Sequence, residues 1–375
     1  MTDAPDLRVG IVCPYDLSIP GGVQSHVIDM VAALGGRGVQ VHVLAPVGDT
    51  AAIGRRFGQW PGWLTNAGPS RQVSINGSSA PVRLARGQRA LVRGWLRDTG
   101  VNLAHVHEPF VPALARPAVH AAANIGLPVV GTFHAAVAST ALLRMARPML
   151  RRTLAHLAAV VPVSEAAAAT VAAVRRGTDY TVIANPVDVD GFARAVLAKP
   201  SPGRQAGNVL FLGRGDEPRK GLDDLLTAWP LIRAARPHAE LVIAGRMQRT
   251  DFPDGATVLG EVPAADKPGV YAGADVYVAA NRGGESMGMV LIEAMASGTA
   301  VVATDLAAFT AVSEGEAARH VPVADPVALA AAVVAVLDDD AERARLVAAG
   351  RRRAADFDLA RITESVIEVY RGCLR

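Results

Sequence analysis

From Asn281 to Glu293 the chain reads Asn-Arg-Gly-Gly-Glu-Ser-Met-Gly-Met-Val-Leu-Ile-Glu, with Glu285 and Glu293 on either side of a helix start. An apolar strand ends, glycines turn the chain, and free backbone N–H groups are expected from about Ser286 through Met287, Gly288 and Met289. Such amides hold a phosphate, while a carboxylate at the turn takes sugar hydroxyls or faces a cationic centre. Glu293, one to two turns into the helix, is placed to take a ribose diol. Glu285 reads equally as a helix-start carboxylate stabilised by the dipole.

A second loop, Phe211-Leu-Gly-Arg-Gly-Asp-Glu-Pro-Arg-Lys-Gly221, sets Arg214, Arg219 and Lys220 beside another helix start. Cations at a helix N-terminus suit a diphosphate. No Ser or Thr follows the lysine, so this is not a P-loop. A solvated basic loop is the plain alternative. The scarcity of lysine, confined to Lys199, Lys220 and Lys267, favours phosphate binding. Gly21-Gly22 opens the first helix without the G-x-G-x-x-G spacing of a dinucleotide site, and a tight turn explains the pair as well as a phosphate does.

His105 and His107 alternate onto one strand face with Glu108 next, but the sequence signals no further ligands, so strand-end structure is the better reading. Asp188-Val-Asp190 imitates a metal-binding Asp-x-Asp but falls in a connector. No metal or other cofactor is assigned. The arginine excess lacks the interleaved aromatics of a nucleic-acid platform.

The elements that must carry these groups alternate. Strands are expected at Leu7–Cys13, Val39–Leu44, Leu103–His107, Pro128–Phe133 and Val160–Val163, with a helix at Gly22–Leu34. A Pro-, Gly- and Asp-rich stretch over 184–208 then breaks the rhythm. It resumes with strands Asn208–Leu212, Leu241–Ala244, Val276–Ala279 and Ala300–Ala303, and helices from Gly221 and over 288–296. Strands separated by helices imply parallel pairing. The expected fold is α/β, with two Rossmann-like doubly wound domains, 1–190 and 191–375, facing a cleft. A return of the last helix to the first domain is left open.

The 375 residues suit two domains, and 50% hydrophobic with 19% charged residues excludes a disordered or collagen-like chain. Cys13 and Cys373 provide no disulfide framework, which favours a reducing, cytoplasmic setting. Asp3 and Asp6 precede the first apolar run without a cationic flank, unlike a signal peptide. The longest apolar run, Val327–Leu337, is far short of the ~20 residues a membrane span needs. Asp325 and Pro326 mark it as a capped helix.

The net charge of +3 conceals an asymmetry: residues 1–190 carry 17 Arg, no Lys and 11 acids, whereas 191–375 carry 21 bases and 24 acids. The basic half is expected to meet something anionic. Within it, Arg86, Arg89, Arg93 and Arg97 share one helical stripe, Arg83 lies at its margin, and Leu84, Leu91 and Trp95 fall opposite. This describes an interfacial helix on anionic lipid, with Arg86, Arg89, Arg93 and Trp95 as membrane contacts. It describes equally a helix whose apolar face packs on a sheet.

Together, Glu285 with Glu293, Arg214 with Lys220, Gly21-Gly22 and Thr132-Phe-His134 resemble the retaining glycosyltransferases of family 4, with the two-domain GT-B fold. Cys13-Pro-Tyr15, Pro20-Gly-Gly-Val-Gln-Ser-His26, His105-Val-His-Glu-Pro109 and Gly283-Gly-Glu-Ser286 resemble more closely the actinobacterial phosphatidylinositol α-mannosyltransferases. The resemblance spans nearly the whole chain. It implies a peripheral enzyme of the inner membrane face that moves mannose from GDP-mannose to the inositol ring of phosphatidylinositol.

By that resemblance His134 and Glu285 are catalytic. Gly22, Arg214, Lys220, Val262, Glu293 and the 286–289 turn hold the donor, with Val262 at the guanine. Tyr15, Gln24 and Asn76 lie on the acceptor side. Pro81 stands where the family has an arginine thought to meet the lipid phosphate, and Arg83 is its nearby substitute. Ala135-Ala-Val-Ala-Ser139 replaces a polar run, Ala184-Asn-Pro186 replaces Pro-Asn-Gly, and the stretch after Gly245-Arg-Met247 is shortened.

Overall fold

A computed structural model describes residues 6–75, 78–83, 87–136, 141–196 and 207–375. Asn76 and Arg86 fall outside these residues. The chain forms two compact units, Met1–Pro186 with Leu359–Arg375, and Val187–Asp358.

In the first unit, β1 (Arg8–Val12), α1 (Gly22–Gly35), β2 (Gln40–Ala45), α2 (Thr50–Phe57) and β3 (Leu64–Asn66) are followed by a hairpin of β4 (Arg71–Ile75) and β5 (Ser78–Val82). Then come α3 (Gln88–Thr99), β6 (Leu103–His107), α4 (Ala115–Ala123), β7 (Val129–Phe133), α5 (Ala141–Leu154), β8 (Ala159–Pro162) and α6 (Glu165–Val174). The parallel sheet has the order β3-β2-β1-β6-β7-β8, with Ile11 beside both Val43 and His105. Its inner strands are apolar on both faces, as parallel strands covered by helices must be. Val9, Ile11 and Val43 are fully buried.

The second unit begins with α7 (Val189–Val196), then β9 (Asn208–Leu212), α8 (Leu222–Ala235), β10 (Glu240–Ala244), β11 (Ala256–Gly260), α9 (Lys267–Ala272) and β12 (Val276–Ala279). It continues with α10 (Met289–Ala296), β13 (Ala300–Thr304), α11 (Ala307–Ser313), β14 (Arg319–Val321), α12 (Pro326–Asp338) and α13 (Asp340–Ala354). The sheet order β11-β10-β9-β12-β13-β14 repeats the doubly wound pattern of the first. At the start of α12 the Asp325 carboxylate accepts the Ala328 N–H at 2.9 Å, and Pro326 occupies the first turn.

One boundary differs from the sequence reading, and the return of the last helix, left open there, is seen. Asp188-Val-Asp190 is not connector: Asp188 Oδ1 accepts the Gly191 N–H at 2.9 Å and opens α7, which packs on α9 and α10. The last helix, α14 (Leu359–Cys373), lies against α1, burying Ile362, Val366, Ile367 and Tyr370 in the core of the first unit.

Trp95 is corrected as a membrane contact. Its indole is 5% exposed and sits among Val12, Val92, Leu96 and Val106 beneath the sheet, close against Gly10. Helix α3 starts only at Gln88, because Gly87 takes a left-handed conformation at φ 78°. The apolar face is thereby turned to the core, and Arg89, Arg93 and Arg97 face solvent. No helix among the described residues is long and apolar enough to cross a membrane.

Candidate active site

In the second unit three loops bring charge together. After β9 the chain makes a single 3₁₀ turn, Pro218–Lys220, and Gly221 then enters α8 at φ 73°. A Cβ at Gly221 would collide with the Ala280 carbonyl oxygen, so only glycine lets the β9 loop approach the end of β12. Arg282 N–H donates to the Arg219 carbonyl at 2.8 Å and closes the two loops. Gly245 at φ 120° likewise has no room for a side chain against the Gly213 carbonyl.

Glu285 is the hub. Its Oε1 accepts from Lys220 Nζ at 2.6 Å, Asn281 Nδ2 at 2.7 Å and Arg219 Nη1 at 3.1 Å. Asn281 is itself buried, and its carbonyl accepts from Thr304 Oγ1 at 2.7 Å. Glu217 pairs with both Arg214 and Arg219 at 2.7 Å, so Arg214 stays half-exposed at the loop edge. Arg282 grips Asp224 through two hydrogen bonds, and that carboxylate raises the guanidinium pKa.

The helix expected over 288–296 is α10, Met289–Ala296, with Gly288 left-handed at φ 91° as its N-cap. No side chain caps that end, which leaves the first amides for a ligand. Ser286 is half-buried and Met287 is buried in the preceding turn. Glu293 sits on the second turn, accepting from Lys267 Nζ at 3.2 Å and from Tyr271 Oη at 3.0 Å. Val262 follows β11 half-buried in an irregular segment. The sequence reading did not single out Arg219 as a partner of Glu285, nor Asn281, Lys267 and Tyr271. Only the loop crossings reveal those contacts, since Lys267 and Tyr271 are more than twenty residues from Glu293.

The first unit gathers a different set. β6 ends at His107 and β7 at Phe133, so His107 and His134 emerge on adjacent strands, with His107 Nδ1 and His134 Nε2 sharing a hydrogen bond of 2.9 Å. His105, two residues back on the same face, lies tilted by 32° against His107 with ring centroids 4.4 Å apart. It is held by Thr132 Oγ1 and Tyr370 Oη, each at 2.7 Å. Glu108 adopts φ 51°, and its Oε1 accepts the N–H groups of His134 at 2.7 Å and Ala135 at 2.8 Å. Burial raises the Glu108 carboxyl, while those two backbone hydrogen bonds lower it. Burial holds the imidazole of His26 down to about 4 and that of His105 to about 3, and lowers His107 and His134 well below the usual range.

Gly22 opens α1, and Gln24 is buried two residues on, its Nε2 donating to the Asp16 carbonyl at 3.4 Å. Asp16 fixes this loop by accepting from Ser18, Gly48 and Ser70. Tyr15 bridges to Val82, and burial, then the charge of Glu108, pushes its phenol up. Arg83 follows β5 with Nε and Nη1 buried and without a hydrogen-bond partner among the described residues. Such a guanidinium suits an anion.

Residues 20–190 match the family described as Glycosyltransferase Family 4, and residues 206–339 match Glycosyl transferases group 1. A relative from Mycolicibacterium smegmatis named phosphatidyl-myo-inositol mannosyltransferase is 38% identical over 97% of this chain and 93% of its own. Among solved structures, a glycosyltransferase from Rickettsia africae has a TM-score of 0.78 at 16% identity, over 99% of each chain. Anabaena HepE, solved with UDP and glucose, has a TM-score of 0.71 at 18% identity, over 98% of this chain and 100% of its own. These neighbours share the GT-B fold. The two units with their repeated sheets, and a relative matched along almost the whole chain, place this protein in glycosyltransferase family 4.

Proposed function

We propose that this chain transfers mannose from GDP-mannose to the inositol ring of phosphatidylinositol, with retention of configuration, at the cytoplasmic face of the plasma membrane. The observation that carries this reading is the near-full-length identity of 38% to a phosphatidyl-myo-inositol mannosyltransferase. Arg214 and Lys220, with the uncapped start of α10, take the donor diphosphate, and Gly22 is assigned to donor binding. Glu285 and the amides of residues 286–289 hold the sugar and phosphate, Glu293 the ribose, and Val262 the base. His134 contacts the mannose. Tyr15, Gln24 and Asn76 serve the acceptor, and Arg83, whose Nε and Nη1 are buried without a partner among the described residues, takes its phosphate.

In this mechanism the inositol hydroxyl attacks from the face that GDP leaves, and a departing phosphate oxygen takes its proton. The cations and the helix start stabilise the charge that develops on the diphosphate, so no metal is required. Arg89 and Arg93 supply the anionic-lipid contact.

The test is incubation with radiolabelled GDP-mannose and phosphatidylinositol vesicles, with UDP-glucose in parallel. Label moving from GDP-mannose into the lipid is the expected result. Transfer only from UDP-glucose reassigns the donor, and no transfer from either favours a non-catalytic nucleotide-sugar or glycolipid binder.

A further inference from the structure

Inside the first unit three histidines from three elements converge: His26 on α1, His107 at the end of β6 and His134 just beyond β7. All three are buried, and one ring nitrogen from each lies within 4.8 Å of the other two. Their rings make edge contacts at 5.2 and 5.0 Å around His26. Nδ1 of His26 and Nε2 of His107 are buried with no hydrogen-bond partner among the described residues. Buried polar nitrogens are nearly always paired, because an unmade hydrogen bond costs about 1–3 kcal/mol. A cluster kept only for packing has no reason to retain them.

We propose that His26, His107 and His134 form a three-nitrogen site for a divalent late-transition-metal ion such as Zn2+, whose binding withdraws His134 from the transfer reaction. Zinc holds imidazole nitrogens at about 2.0–2.1 Å, hence roughly 3.4 Å from one another, so the cluster closes on an ion by ring shifts on the order of an ångström. The proton now shared by His107 and His134 settles on whichever nitrogen of its ring does not face the ion. Three neutral imidazoles then ligate without net proton release, and the fourth position is left to water. The ion is an inhibitor rather than a cofactor, because it occupies the ring proposed to meet the sugar. That consequence rests on the transferase reading, whereas the site itself does not.

The test begins with chelator-stripped wild-type chain titrated with Co2+. The expected result is one ion per chain, with the intense visible bands of tetrahedral nitrogen ligation, displaced by Zn2+. His26→Gln and His107→Gln should each weaken binding on the order of tenfold or more. His120→Asn, in the separate His120–His156 pair with centroids 4.9 Å apart, should leave binding unchanged. Wild-type chain that binds no Co2+ overturns the site, even if a site variant fails to fold. So does binding that survives His26→Gln but is lost in His120→Asn. Zn2+ should inhibit transfer with the midpoint of Co2+ displacement, and stoichiometric binding without inhibition overturns the inhibitory role alone.

Discussion

The ammonium of Lys220 meets Oε1 of Glu285 at 2.6 Å, tying the loop after β9 to the turn before α10. Both side chains are largely buried, at 15% and 13% exposed. The lysine is thus fixed before any donor arrives, so none of the donor's binding energy goes into ordering it. Lys220→Ala is expected to lower kcat/KM by about 10²–10³-fold, the usual loss when a fixed donor to developing charge is removed. Steady-state kinetics with varied GDP-mannose check this, and near-normal constants refute the diphosphate role.

Gly221→Ala should destabilise the second unit by more than ~2 kcal/mol. It forces a side chain to φ 73° and into the Ala280 carbonyl. Thermal melting of the variant should show the loss, and an unchanged melting temperature would mean that the two loops are not held this close.

Tyr370→Phe removes the hydroxyl that pairs with His105 Nδ1 and leaves that buried nitrogen without its partner. A cost of about 1–3 kcal/mol is expected in denaturant unfolding. Donor affinity should not change, since Tyr370 belongs to the first unit's core. A shift in nucleotide affinity with no loss of stability contradicts this placement.

The buried histidines make the first unit acid-sensitive. His26 titrates at about 4 when folded against 6.5 as its reference, so between those values the unfolded chain binds the extra proton. Stability therefore falls as pH drops from about 6.5 towards 4, and His105, held to about 3, extends the fall. The raised carboxyl of Glu108 acts in the opposite sense, but it is one group against four imidazoles. Urea midpoints measured over this range should decline with acidification, and a flat profile would show that the rings are not desolvated.

Trp95 and the α3 arginines separate two roles on one helix. Trp95→Ala should cost about 3–5 kcal/mol of stability with little effect on sedimentation with anionic vesicles. Arg89→Glu with Arg93→Glu should weaken that sedimentation at unchanged stability. Equal vesicle binding by the double variant would remove α3 from the membrane contact.

The strands were legible because their inner members are continuous apolar runs. Asn208–Leu212 and Leu103–His107 match the structure at both ends. β11 was not legible: its Thr257-Val-Leu259 faces solvent at the sheet edge, and no burial pattern marks it. The helix over 83–97 could be read on either face from its periodicity. Only Gly10, which leaves room for the indole, decides that Trp95 points inward. Glu285, Glu293, Arg214 and Lys220, proposed as donor-side groups, stand out in the sequence by type and spacing. The partners Asn281, Lys267 and Tyr271, and the convergence of His26 on His107 and His134, depend on chain crossings that local spacing does not encode.

The placement of α14 bears on the order in which the molecule is made. Residues 359–375 complete the core that begins at Leu7, while Val187–Asp358 forms its own unit in the intervening chain. On a ribosome the second unit can therefore mature while the first still lacks Ile362, Val366 and Tyr370. His105 waits for its hydroxyl partner until Tyr370 has been made. The first unit, begun before the second, is closed after it, and in that interval its core is open to other partners.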